Sequence, residues 1–280
     1  MATRGRMRLC PLALAGLAGA VACVRHPPPA RGPNVVTITA TDYAFGDPDT
    51  IPAGLVTLRL VNVGKEPHQA GLVRIDSGKT GAAVEAALKS PGPPPAWMVF
   101  VGGPDVVPPG DTANATQPLA PGRYFLVCFF PSPDGKLHLD KGMFRWLVVR
   151  DASVAAPEPA PAGDVTVTLN DYGFEIVPPL GPGTHTLRVV NAGPQLHELM
   201  LLALAPGKGV ADVVAWDQGG MKGVPPARPL GGVVGLTAGR SAVFTVTLAP
   251  GRYVLACFVP DATDAKSHAV HGMVREITLR

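Results

Sequence analysis

The sequence contains one stretch twice: CFFPSPDGKLHLDKGM from Cys128 to Met143, and CFVPDATDAKSHAVHGM from Cys257 to Met273. Each copy offers a thiol, an imidazole and a thioether in the same order. A further histidine, His68 or His197, stands 60 residues upstream of each cysteine. Each half of the chain therefore carries the same set of two histidines, one cysteine and one methionine.

The repetition extends far beyond this stretch, at a constant offset of 129 residues that becomes 130 between the cysteine and the next histidine. The matching segments include VTIT and VTVT at 36 and 165, DYAF and DYGF at 42 and 171, and LAPGRY at 119 and 248. Repetition at a fixed period indicates a duplicated structural unit. We predict one domain over 35–150 and a second over 165–280. The Pro- and Ala-rich segment 151–164 is the expected linker.

Short apolar segments of period two fill each copy, separated by glycine and proline. LVTLRLVNV at 55–63 and RYFLVCFF at 123–130 are examples. This pattern predicts strands, and many short strands with frequent turns predict an all-β sandwich in each domain. One short helix is expected in each copy, around 81–89 and 210–216.

The first 23 residues have the pattern of a bacterial export signal. MATRGRMRL carries three arginines and no acidic residue, and the apolar run PLALAGLAGAVAC follows it after Cys10. Ala20 to Cys23 resembles a lipobox, in which Cys23 is lipid-modified; a plain signal peptide cleaved after an alanine is the alternative. We therefore expect a protein of the periplasm or cell envelope, anchored by a lipid and held off the membrane by a Pro-rich tether at 24–34.

The net charge and the positions of the cysteines limit the classes of function that the sequence allows. The formal net charge is +3, and removal of residues 1–22 takes away three arginines and brings it to zero, so nucleic-acid binding is not expected. The only expected membrane contact is the lipid anchor. Cys10 and Cys23 belong to the leader, which leaves Cys128 and Cys257, one in each copy. A metal thiolate in each copy is the favoured interpretation; an inter-domain disulfide or two inert thiols is the alternative.

Two imidazoles, a thiolate and a weak axial thioether are the ligands of a blue copper site. On these motifs the chain resembles two tandem cupredoxin domains, whose fold is a Greek-key β-sandwich. The loop between Cys and His is longer than in plastocyanin-like carriers and is more similar to that of copper nitrite reductases. The resemblance implies up to two type 1 copper ions with the following ligands: His68, Cys128, His138 and Met143, and then His197, Cys257, His268 and Met273. His271 could compete with His268.

One departure from the related copper enzymes bears on catalysis. They carry a histidine directly before the cysteine, whereas this chain has Val127 and Ala256 there, and it contains no His-x-His pair. The sequence therefore predicts electron transfer to a redox partner that it does not identify, and it predicts that the protein is not an enzyme. The alternatives are a periplasmic protein that holds copper without redox cycling and a metal-free binding module.

Overall fold

The computed structural model describes residues 32–46, 48–76, 78–90, 92–151 and 161–280. The predicted leader with Cys10 and Cys23, and all of the predicted linker except 151 and 161–164, lie outside the described residues. Neither of the two helices in the described part is long and apolar enough to span a membrane.

The first repeat consists of nine strands and one α-helix, the helix lying where the sequence predicts it. The elements are β1 (Asn34–Thr41), β2 (Ala44–Phe45), β3 (Thr50–Pro52), β4 (Gly54–Asn62), β5 (Gly71–Ile75), α1 (Gly81–Lys89), β6 (Met98–Phe100), β7 (Thr112–Leu119), β8 (Gly122–Val127) and β9 (Phe144–Arg150). A 3-10 helix, His138–Lys141, precedes β9. Thr80 caps α1, because its hydroxyl accepts from the amide of Ala83.

The second repeat has the same order with fewer short edge strands. Its elements are β10 (Val165–Asn170), β11 (Gly173–Val177), β12 (Gly183–Asn191), β13 (His197–Leu204), α2 (Val210–Gln218), β14 (Ala227–Leu236), β15 (Ser241–Leu248), β16 (Gly251–Ala256) and β17 (Val274–Leu279). The helix again lies where the sequence predicts it. Its first turn is stabilised by Asp212, whose carboxylate accepts from the amide of Gly209.

Each repeat is a sandwich of two sheets, and one sheet runs through both repeats. Its order is β11-β10-β12-β15-β7-β4-β1-β2, so β15 of the second repeat pairs with β7 of the first. The opposite faces are covered by the sheet β3-β9-β8-β5-β6 in the first repeat and by β14-β13-β16-β17 in the second. The all-β prediction of two tandem cupredoxin-like sandwiches is confirmed; the domain boundaries at 35–150 and 165–280 stay a proposal.

A second connection, which we call the seam, joins 101–106 to 231–236 in antiparallel register. The amide of Gly102 donates to the Gly235 carbonyl, and the amide of Val234 donates to the Gly103 carbonyl, at 3.1 and 3.0 Å. Two further amide-to-carbonyl bonds, from 105 to 232 and from 231 to 106, continue the pairing. Because equivalent segments of the two copies pair with each other, the repeats are related by an approximate two-fold axis through the seam.

The hydrophobic core crosses from one repeat to the other. One cluster of buried side chains contains Ile38, Leu58 and Leu126 of the first repeat together with Met200 and Leu202 of the second. Burial of such side chains contributes roughly 1.5–3 kcal/mol each. Since this cluster is shared, part of the stability of each repeat depends on the other.

Candidate metal centres

Backbone pairing fixes the four side chains of the first ligand set. His68 forms an isolated bridge with Val107, with both amide-to-carbonyl bonds made at 3.1 and 3.0 Å. Cys128 directly follows β8, and its amide donates to the carbonyl of Met143 at 3.1 Å. The amide of Met143 in turn donates to the His138 carbonyl at 2.9 Å. The loop from Cys128 to Met143 is therefore closed on itself, and it holds three of the four side chains.

The second set is held in the same way at the equivalent positions. His197 begins β13, and Cys257 directly follows β16. The amide of Cys257 donates to Met273 and the amide of Met273 donates to His268, at 3.1 and 2.9 Å. One extra residue between Cys and His in this copy thus leaves the closure of the loop unchanged.

The imidazole and thiol donor atoms converge in both repeats. In the first, Nδ1 of His68 and Nδ1 of His138 lie 3.0 Å apart, and Sγ of Cys128 lies 3.3 Å from Nδ1 of His138. In the second, the two Nδ1 atoms of His197 and His268 are 3.0 Å apart, and Sγ of Cys257 lies 3.4 Å from His268. All six side chains, and those of Met143 and Met273, are fully buried.

The outer nitrogens of the histidines show that these clusters fit a cation. Nε2 of His68 lies 3.0 Å from a carboxylate oxygen of Asp42, and Nε2 of His138 lies 2.9 Å from one of Glu66. An ionised carboxylate only accepts hydrogen bonds, so each neutral ring must place its proton on Nε2. Both Nδ1 atoms are then unprotonated, and their lone pairs face each other with no proton between them. A metal ion would satisfy both, since metal–nitrogen bonds are about 2.0 Å long.

Burial sets the protonation of the four histidines and the two cysteines. Loss of solvent lowers the pKa of His68, His138 and His197 below the ordinary value and that of His268 to about 4, which favours the neutral rings that a metal requires. Burial also raises the pKa of Cys128 to about 12 and that of Cys257 well above its usual range. A bound metal deprotonates a coordinating thiol, so the thiolate here depends on the metal's charge.

Backbone amides lower the pKa of each thiol, against the larger effect of burial, and would support the thiolate. For Cys128 they belong to Gln69 and Phe130, and for Cys257 to Glu198 and Val259. The Glu198 amide donates to Sγ of Cys257 at 3.4 Å. Hydrogen bonds of this kind tune the electronic properties of a metal-bound sulfur.

An asparagine holds the loop before the upstream histidine in each repeat. The Asn62 amide group donates to the carbonyls of Glu66 and Val107, and its oxygen accepts from the amide of Gly64. Asn191 makes the same three bonds to Gln195, Leu236 and Gly193. Each asparagine thus fixes the backbone of Glu66 or Gln195, whose side chain faces Nε2 of the downstream histidine.

The glycine of the same turn lies against the histidine. A Cβ atom on Gly64 would lie 2.6 Å from Nε2 of His68, and one on Gly193 would lie 2.7 Å from Nε2 of His197. These distances are far below van der Waals contact. The turn therefore needs glycine for space beside the imidazole and its Asp partner.

Two polar positions behind the downstream histidine differ between the repeats, and sequence reasoning assigned no role to either. Glu66 of the first repeat corresponds to Gln195 of the second, and Ser132 corresponds to Asp261. Oε1 of Gln195 lies 3.4 Å from Nε2 of His268, and Asp261 lies 3.6 Å from the same atom. The constant offset of 129 residues was the available signal, because it aligns Glu66 with Gln195.

His271 does not join the second cluster. Its Nε2 lies 3.0 Å from Asp264, and its ring lies against Tyr172 with centroids 5.1 Å apart. The three donor atoms that converge belong to His197, Cys257 and His268. Cys128 and Cys257 are both free thiols, so no disulfide joins the repeats in the described part of the chain.

The chain therefore consists of two tandem cupredoxin-like sandwiches, each of which brings two histidines and one cysteine together. No protein family and no curated protein matches the sequence. Among solved structures, auracyanin A, a "blue" copper protein from Chloroflexus aurantiacus, matches at 25% identity. The match covers 42% of this chain and all of that one, with a TM-score of 0.31.

Two matched structures extend over both repeats. The copper-containing nitrite reductase from Thermus scotoductus is 14% identical, with 89% of this chain and 62% of that chain covered and a TM-score of 0.24. The blue copper oxidase from Nitrosomonas europaea is also 14% identical, with 89% and 86% covered and a TM-score of 0.24. At these TM-scores the assignment of the fold rests on the topology and ligand sets of the chain itself.

The prediction that the protein is not an enzyme is contradicted, because the matched structures that span most of the chain are named as a nitrite reductase and oxidases. That prediction relied on the absence of a His-x-His pair and on Val127 and Ala256, which stand where a histidine precedes the cysteine in the related copper enzymes. The residue type at 127 and 256 concerns only the link between a blue copper site and a second copper ion. It therefore does not exclude catalysis.

Proposed function

We propose that the protein is an exported two-domain cupredoxin that binds type 1 copper in each domain and transfers electrons. The observation that carries the proposal is the convergence of two bare Nδ1 atoms and one sulfur atom in each repeat, with the outer ring nitrogens held by acceptors. Two imidazoles and a thiolate with a methionine nearby form a donor set typical of blue copper electron-transfer sites.

Some residues of each centre would bind the copper ion, and others fix the orientation of the binding side chains. Copper, when bound, supplies a one-electron redox couple. His68 and His138 each present one lone pair, because Asp42 and Glu66 hold their ring protons on the opposite side. The fully buried Cys128 and Met143 supply soft sulfur donors away from water. Because strands and a closed loop fix all four side chains, little movement accompanies a change in charge, which favours rapid electron transfer.

Export and the lipid anchor remain part of the proposal and rest on the sequence of the leader. Cys23 would be the lipid-modified N-terminus of the mature chain. Mass spectrometry of the protein isolated from the envelope of an expressing bacterium tests this, since an N-terminal peptide beginning at Cys23 with two or three acyl chains is expected. An unmodified peptide that begins at another residue would contradict the anchor.

The copper proposal is tested by an absorption spectrum with copper quantitation after Cu(II) is added to the protein lacking residues 1–23. Two copper ions per chain with an intense visible band are expected. Cys128→Ala should remove the band of the first centre only, and Cys257→Ala that of the second. Full absorbance in either variant would contradict the assigned ligands. Bound copper without a reversible voltammetric wave would instead favour copper storage.

A further inference from the structure

The two centres differ in what holds the downstream histidine, and this difference is built from equivalent positions. In the first repeat, Nε2 of His138 meets a Glu66 carboxylate oxygen at 2.9 Å. In the second, Nε2 of His268 meets the amide oxygen of Gln195 at 3.4 Å. The amide orientation of Gln195 is fixed, because its oxygen accepts from the Ala262 amide and its nitrogen donates to Asp261, both at 2.9 Å. The contact with His268 is therefore long and made to a neutral acceptor.

The negative charge is not absent from the second repeat but lies further from the ring. Oδ2 of Asp261 is 3.6 Å from Nε2 of His268, beyond hydrogen-bond distance. Other donors already occupy this carboxylate: the Tyr172 hydroxyl at 2.6 Å, the Gln195 amide, and the backbone and side chain of Thr263. In the first repeat the tyrosine at the same position, Tyr43, donates to Glu66 itself at 2.8 Å. In the first repeat the carboxylate therefore belongs to the direct partner of the histidine, Glu66. In the second it belongs to Asp261, which lies behind the direct partner Gln195.

The remaining outer contacts do not reproduce this difference. The upstream histidines are matched, since His68 meets Asp42 and His197 meets Asp171 through the same ring nitrogen. Lys141 brings a positive charge near the first centre, but Asp134 pairs with it at 3.0 Å. The direct hydrogen bond to the downstream ring is therefore one asymmetry between the two ligand sets. A second lies at the residue after the upstream histidine, where the buried Glu198, whose amide donates to Sγ of Cys257, corresponds to Gln69. Glu66→Gln and Gln195→Glu are each made within one centre, so they isolate the first asymmetry from the second.

A carboxylate partner makes a metal-bound imidazole more basic, and hydrogen bonds to a charged acceptor are about twice as strong as those to a neutral one. A more basic ligand stabilises the more highly charged, oxidised metal. We propose that Glu66 and Gln195 make the two copper centres inequivalent: Glu66 holds the first centre at the lower reduction potential, and the second centre accepts the first electron. This inference rests on the proposed function and adds to it an order in which the centres fill.

The first test requires no copper. In the copper-free protein with ¹⁵N-labelled histidine, the Nε2 proton of His138 should resonate further downfield and exchange more slowly with water than that of His268. Glu66→Gln should bring the His138 signal close to that of His268. If the two Nε2 protons are alike in the wild type, the inference is overturned whether or not copper binds.

The second test measures the potentials of the isolated centres, with Cys257→Ala leaving the first and Cys128→Ala leaving the second. Outer partners of metal-bound histidines commonly alter metal affinity by 10–100-fold. If the preference for the oxidised over the reduced ion changes by about tenfold, the first potential should lie about 59 mV below the second. Glu66→Gln should raise the first potential, and Gln195→Glu should lower the second. Equal potentials, or a first centre above the second, would overturn the order.

A matched control separates the hydrogen bond from a general loss of charge. Glu85 lies on the surface of α1 and pairs with Lys89, away from both ligand sets. Glu85→Gln removes the same charge as Glu66→Gln and should leave both potentials unchanged. An equal shift in the two variants would overturn the role of Glu66. Failure of the centres to take up copper would contradict the proposed function, and the NMR comparison would still decide the asymmetry.

Discussion

At the residue scale, the geometry of each candidate centre depends on small side chains and on the hydrogen-bond partners of the outer ring nitrogens as well as on the four proposed ligands. Asp42, Glu66 and Asn62 set the ring tautomers and the course of the loop, and Gly64 leaves room for the His68 ring. These residues do not contribute donor atoms to the cluster. Changing them should alter a centre whose four ligands are all still present.

Gly64→Ala is expected to abolish copper binding at the first centre alone. The new methyl group would lie 2.6 Å from Nε2 of His68 and 2.5 Å from the Asp42 carboxylate, so the ring must move. Copper quantitation should fall from two ions per chain to one. Gly181→Ala is the matched control, because a Cβ there meets nothing within 4 Å and both ions should stay. Two ions in Gly64→Ala would show that the turn tolerates the change.

Two buried carboxyl groups, Asp105 and Glu198, should make stability depend on pH. Burial raises the pKa of Asp105 well above its ordinary value, with Glu198 adding to the effect, and burial raises that of Glu198 to about 7. The folded protein therefore holds more protons on Glu198 than the unfolded chain between about pH 4.5 and 7. This contribution to the free energy of unfolding is present at low pH and falls by roughly 3 kcal/mol as the pH rises through that range.

The measurement compares the copper-free wild type with Glu198→Gln by urea unfolding at several pH values. The four buried histidines have lowered pKa values and act in the opposite direction, so only the difference between the two proteins isolates Glu198. The variant should gain stability relative to the wild type from pH 4.5 to 7. A constant difference over this range would contradict the raised pKa.

At the element scale, the two repeats are joined by strand pairing at two places, the seam and the contact of β7 with β15. Asn114 of β7 is central to the second contact, because its side chain donates to the carbonyl of Thr245 and accepts from the amide of Thr245, both at 2.9 Å. The equivalent position of the second repeat is Val243, which cannot make such bonds. The contact of β7 with β15 is therefore asymmetric, because Asn114 makes this pair of bonds and its equivalent, Val243, does not.

Asn114→Ala should lower the free energy of unfolding by about 1–3 kcal/mol, since it removes two hydrogen bonds to one backbone residue. Chemical denaturation with fluorescence detection measures the loss. Thr41→Ala serves as a control, because the hydroxyl of Thr41 makes a single long bond of 3.4 Å at an exposed site. The copper centres should be unaffected, as Asn114 contacts none of the ligands. Equal stability of the two variants would show that the contact of β7 with β15 contributes little.

Much of the fold could be predicted from the sequence, because its signals are local and doubled. Alternation of apolar residues gave the strands, and the helix positions of both repeats agree with the structure. The two His, Cys and His groups that converge followed from the spacing of these residues around a repeated motif, and their role as ligands stays a prediction. The outer partners Glu66, Gln195 and Asp261 were missed as functional residues, since they reach the histidines only after distant turns are brought together. The same reason hid the seam: nothing in 101–106 alone indicates pairing with 231–236.

At the scale of the whole molecule, the shared sheet, the seam and the common core predict that the repeats unfold together. A protease site placed between Asp151 and Asp164 and then cleaved should leave the two halves associated. Size-exclusion chromatography of the cleaved protein should give a single species of unchanged volume. Halves that separate without denaturant would show that the linker, rather than the contacts between the repeats, holds the molecule together. The uncleaved protein treated with inactive protease is the control.

The seam also limits how far the two copies can drift apart by mutation. Gly103 and Gly232 correspond in the duplication, and both have positive φ. A Cβ on either would collide with a backbone carbonyl of the same repeat, that of Ala70 at 2.1 Å for Gly103 and that of Leu199 at 1.8 Å for Gly232. After a gene duplication one copy is usually free to change while the other keeps its role. Here each copy is the surface on which the other folds: the carbonyl of Gly103 accepts from Val234 and that of Gly232 accepts from Asp105, so a substitution at either glycine disturbs both copies.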